Sequence, residues 1–134
     1  MINYDGRKFR PVGTDPGESG RVAVYHQEGD LLWGEFTGGD ARRGVLSGVC
    51  APDGALEFAY CVVLTDGAVV SGRCRSRPEV LADGRVRLAE RWERFGAHAA
   101  SGVSCIEEIR GPRGAPAGAG APGRAATTKD GNRR

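Results

Sequence analysis

From position 86 to 94 the chain reads Val-Arg-Leu-Ala-Glu-Arg-Trp-Glu-Arg, and the run alternates with a period of two. Successive side chains of a strand point to opposite faces, whereas a helix repeats at about 3.6 residues. As a strand, Arg85, Arg87, Arg91 and Glu93 share a wet face with Ala89. Val86, Leu88, Glu90 and Trp92 share the other face, which must be covered. Glu90 stands in the middle of it. A carboxylate taken out of water needs compensation. Position 90 therefore predicts one of two things. Either it has a hidden partner (Arg7, Arg10, Arg42, or the hydroxyl of Tyr25 or Tyr60), or it is a group that meets a ligand.

The rest of the chain has the same grain. No stretch shows helical periodicity. Apolar alternation and turn signals such as Asp53-Gly54, Asp66-Gly67 and Asp83-Gly84 recur at short intervals, the pattern of an all-β sandwich or barrel. Strands are predicted over 7–12, 21–27, 31–37, 41–50, 56–64, 69–76, 85–94 and 102–109. A loop is expected over 13–20, and a hairpin turn at Glu28-Gly29 that places Tyr25 opposite Leu32. Pro78 should end the sixth strand, because it has no N–H to give to a ladder; the short run 79–82 follows it and makes a ninth strand if it is counted. Consecutive strands joined by short links pair antiparallel. An up-and-down meander of eight strands removes its edges by closing into a lipocalin-like (calycin-like) barrel. Such a barrel has room inside for side chains or one small ligand.

The chain has 134 residues, which suits one domain. We expect a barrel domain over 1–110 and a disordered tail over 111–134, a Gly/Pro/Ala-rich segment with no bulky apolar residue to bury. The net charge is +2, but Arg113, Arg124, Lys129, Arg133 and Arg134 all lie in the tail, against one acid, Asp130. The body is thus slightly acidic, and no nucleic-acid partner is expected. No segment has the ~20 apolar residues of a membrane span. The N-terminus lacks the pattern of a secretory signal, so a cytoplasmic location is expected. Cys50, Cys61, Cys74 and Cys105 show no C-x-x-C spacing and read as small buried side chains. His26 and His98 are far apart in the sequence, which argues against a metal site or a triad. No cofactor is expected.

Phase along each strand sorts inward from outward residues. Val70, Gly72, Cys74 and Ser76 face inward once Arg73 and Arg75 face out. In 41–50 the inward set is Gly44, Leu46, Gly48 and Cys50; in 56–64 it is Leu56, Phe58, Tyr60 and Val62. Periodicity alone leaves the faces of 21–37 open. The proposed interior mixes apolar groups with a polar minority, as small-molecule sites do. Candidate catalytic residues are Glu90, Tyr60 and Tyr25. Candidate ligand contacts are Gln27, Phe36, Phe58, Cys74, Ser76, Leu88 and Trp92. Trp33 is expected outside with Val22, Val24 and Leu31, on a face that could join two copies.

Several motifs carry a resemblance: 6–12 (Gly-Arg-Lys-Phe-Arg-Pro-Val), 25–29 (Tyr-His-Gln-Glu-Gly), Trp33, Gly38-Gly39, 44–48, Tyr60, 72–79, 83–85 and 87–92. Over residues 2–109 the chain resembles a family of small bacterial barrels of the lipocalin (calycin) type, whose members often carry the label N-acetylglutamate synthase. The resemblance implies a calycin-like barrel. It does not supply the strand–turn–helix unit that holds a pyrophosphate in acetyl-CoA enzymes, so an acetyltransferase is not expected. The family often has an aromatic where Ala23 and Arg94 stand and a polar residue where Val62 stands.

Three functions follow as expectations. The first is binding of a small, largely apolar molecule, oriented by Glu90, Tyr25, Gln27 and Tyr60. The second is a cofactor-independent cyclase or isomerase of a polyketide-like or polyene chain, in which shape supplies proximity and Glu90 or a tyrosine moves a proton. The third is a structural module that forms a homodimer through the Trp33 face.

Overall fold

In the computed structural model, residues 2–13 and 20–109 are described. The expectations for the loop 13–20 and for the tail fall largely or wholly outside them. Eight strands form one closed barrel: β1 (Lys8–Pro11), β2 (Val22–Glu28), β3 (Leu31–Gly38), β4 (Ala41–Cys50), β5 (Leu56–Leu64), β6 (Val69–Val80), β7 (Val86–Arg94) and β8 (Ala100–Glu108). Each pairs antiparallel with the next, and β8 returns to β1 through Phe9 opposite Glu108, Arg10 opposite Glu107 and Pro11 opposite Ile106. A single 3-10 turn, Gly96–His98, lies between β7 and β8.

Three of the hairpins are closed by one device. Asp53, Asp66 and Asp83 each accept, through Oδ1, the backbone N–H two residues on, at 3.0, 2.9 and 3.1 Å. The glycine that follows each Asp has a φ of 88–89°, a conformation that costs glycine little and other residues much. Asp-Gly therefore sets where these strands reverse.

Two expectations need correction. The β2–β3 turn is Gly29-Asp30, since Glu28 pairs with Leu31, and Tyr25 faces Gly34 instead of Leu32. Moving a turn by one place changes the pairing by two, so residues expected to share a face still share it. Pro78 lies inside β6, opposite Leu88. Beyond Ser76 no β5 residue pairs with β6, so Pro78 occupies a stretch with one open side, where its missing N–H is tolerated.

One end of the barrel is plugged. Tyr4, ahead of β1, is fully buried. Its hydroxyl donates to the Gly54 carbonyl at 2.6 Å, and its N–H donates to Gln27 Oε1 at 2.9 Å. Its ring lies 6.4 Å from Phe9 and 6.3 Å from Tyr25, which are themselves 4.9 Å apart. Aromatic pairs of this kind add about 0.5–1.5 kcal/mol each beyond area burial. Leu32, Leu56, Val86 and Leu88 complete this end of the core. A smaller cluster, Ala41, Val62 and Val70, lies toward the other end. No helix among the described residues is long and apolar enough to cross a membrane.

Candidate ligand cavity

Five interior aromatic residues each lie opposite a glycine. Tyr25 lies opposite Gly34, Phe36 opposite Gly44, Phe58 opposite Gly48, Tyr60 opposite Gly72 and Trp92 opposite Gly102. A Cβ on any of these glycines would come within 3.3 Å of the paired side chain. At Gly44, Gly72 and Gly102 the close atoms include the rings of Phe36, Tyr60 and Trp92, which lean over the bare backbone of the neighbouring strand. The space left is a cavity of about 360 Å³, walled by Phe36, Phe58, Trp92, Leu46 and Val62 among others. Arg21, Asp40 and Arg94 stand at its open end, away from the Tyr4 plug.

Glu90 reaches this cavity from the middle of β7. Ser104 Oγ donates to its Oε1 at 3.1 Å, and the Cys74 thiol donates to its Oε2 at 3.6 Å. Of the partners expected from sequence, Tyr25 and Tyr60 line the same cavity as Glu90. Arg7 is tied to the buried Glu108 at 2.7 Å, and Arg10 and Arg42 are exposed. The register makes the arrangement: Ser104 lies directly opposite Glu90 on β8, and Cys74 lies on the neighbouring β6.

Burial, reinforced by the Glu90 charge, pushes the Tyr25 hydroxyl well above the usual phenol range, and the same two causes raise the Cys74 thiol. Burial also raises Tyr60, although the adjacent Arg94 guanidinium draws it back down. At neutral pH all three keep their protons. They are hydrogen-bond donors rather than nucleophiles or bases. Tyr4 and Tyr60 hydroxyls donate to the carbonyls of Gly54 and Glu93; Tyr25, only 1% exposed, makes no such side-chain bond among the described residues.

Of the residues proposed from sequence, Glu90, Tyr25, Tyr60, Phe36, Phe58, Cys74 and Trp92 come together around the cavity. Three do not line it. Gln27 is spent at the plugged end, where its amide also donates to the Gly29 carbonyl at 2.9 Å. Ser76 is buried beneath Cys74, 3.7 Å from its sulfur. Leu88 packs in the plugged core. Sequence reasoning missed Ser104, Arg94, Arg21, Asp40 and Phe9. Arg94 continues the even-numbered face of β7, but its charge hid it. A broader depression of about 750 Å³ lies at the barrel's outer edge, beside Asp30, Pro52, Arg75 and Arg77. Glu90 does not line it.

Fold and cavity together define a class: a meandering eight-stranded barrel with a ligand-sized interior open at one end. A family model described as avidin-like protein matches residues 2–109, and the chain belongs to that family. Comparison with curated proteins and with solved structures gave no match. The family and the barrel both fit small-molecule binding in general.

Proposed function

We propose that the chain binds one small molecule with a mostly apolar body inside the barrel, oriented by Glu90, Tyr25 and Tyr60. The observation that carries this reading is the placement of Glu90. It is a partly buried carboxylate that accepts from Ser104 and Cys74, set in an aromatic-walled space whose 360 Å³ is within the range of ligand pockets. Aromatic walls supply area, and the polar groups supply direction. Glu90 accepts a hydrogen bond from the guest, and the Tyr25 hydroxyl donates one.

The two tryptophans make the test local. Trp92 lines the cavity, while Trp33 is 38% exposed on the outer face. In a fragment screen by heteronuclear NMR, ligands should move the Trp92 indole signal and leave that of Trp33 in place. Glu90→Gln should weaken fragments that carry an N–H donor by about tenfold, the scale of one hydrogen bond to a charged group. If every bound fragment moves Trp33 alone, or none binds, the reading is wrong.

A further inference from the structure

Two guanidinium groups guard the cavity mouth, and they differ. Arg21 lies 5.8 Å from the Phe36 ring and is paired with the Asp40 carboxylate. Arg94 lies 5.5 Å from the Trp92 ring and beside the Tyr60 hydroxyl, yet among the described residues it forms no ion pair. Other arginines of β6 and β7 do: Arg73 with Glu93 at 3.0 Å, and Arg87 with Glu107. A half-buried cation set against an indole, with no carboxylate paired to it among the described residues, is a ready anion site.

The opposite charge lies below it. Glu90 and Arg94 are four residues apart on one face of β7, and at about 3.3 Å per residue that is roughly 13 Å. An anionic group entering the barrel is repelled at the depth of Glu90 and attracted at the mouth. We propose, resting on the cavity as a binding site, that the ligand is an amphipathic monocarboxylate. It enters apolar end first, and Arg94 and the Tyr60 hydroxyl hold its acid at the mouth. A single net positive group suits a single negative charge. A phosphate monoester brings nearly twice the charge, and Arg21, already neutralised by Asp40, adds little to meet it.

The test uses a matched pair of probes, 4-phenylbutyrate and 4-phenylbutanamide, titrated into the full chain while the Trp92 indole signal is followed. The acid should bind at least about tenfold more tightly than the amide, the scale of one charge-assisted hydrogen bond. Arg94→Gln should erase the difference by weakening the acid alone, and Arg94→Lys should keep part of it. Added salt should weaken the acid and spare the amide. Equal affinities in the unmodified chain, or a preference that survives Arg94→Gln, would overturn the carboxylate assignment and leave the cavity reading standing. If neither probe moves Trp92 at millimolar concentration, both proposals fail together.

Discussion

Gly72 and Gly102 occupy equivalent places beneath Tyr60 and Trp92, yet they should not tolerate change equally. A Cβ on Gly72 would fall 2.2 Å from the Glu93 carbonyl oxygen and 2.5 Å from the Tyr60 hydroxyl, so backbone as well as side chain must shift. At Gly102 the nearest atoms belong to the Trp92 ring alone, at 2.6 Å, and that ring can swing into open cavity. Overpacking of this kind costs about 1–3 kcal/mol. Gly72→Ala should fall at or above the top of that range in urea unfolding. Gly102→Ala should cost less and shrink the cavity, visible as a displaced Trp92 indole signal. Inward glycines show in the sequence as room left inside a barrel. Their one-to-one pairing with aromatics does not, because it depends on register between strands.

The seam between β1 and β8 is short, and one buried group holds much of it. Glu108, with a side chain 1% exposed, accepts from Arg7 at 2.7 Å and from the Val86 N–H at 3.1 Å. Glu108→Ala strands the guanidinium and the amide. Losing one partner of a buried pair costs about 3–5 kcal/mol, and Arg7, 20% exposed, recovers part of that in water. A loss of roughly 2–3 kcal/mol in chemical unfolding is expected. Individual strands were readable: alternation fixed β7 within a residue, and the Asp-Gly pairs located three reversals. Ser104 escaped notice because nothing within β8 says that it will lie opposite Glu90. Tyr4 escaped because residues 2–6 have no periodicity, and its burial comes from capping a barrel that exists only once the strands have met. Pro78 misled because edge or interior is a property of the neighbours, not of the proline.

Across the molecule, burial governs the response to pH. Tyr4, Tyr25 and Tyr60 all have raised pKa values in the fold, against 10.0 when free, and Cys74 is raised from 9.0. An acid whose folded pKa is raised supports the fold fully below its unfolded value, and that support drains away as pH climbs past it. Glu107 runs the other way. Hydrogen bonding to Arg87 lowers it from 4.5, so its contribution is present above that pH and fades below it. His26, raised from 6.5 by its hydrogen bond to Glu35, supports the fold fully below that value and loses this support as pH rises through its folded pKa, so stability should decline gently above about pH 6.5 and fall further in acid and in strong alkali. Because the chain has 3 tyrosines, all in the barrel, tyrosinate absorbance should rise cooperatively with unfolding. A smooth independent titration centred on pH 10 would contradict this. The ring closes only when Phe9 meets Glu108, nearly the whole described chain apart. During synthesis the first strand must wait, unpaired on one side, until the last leaves the ribosome. The hollow therefore has no existence until the eighth strand has emerged, and no guest can be enclosed before then.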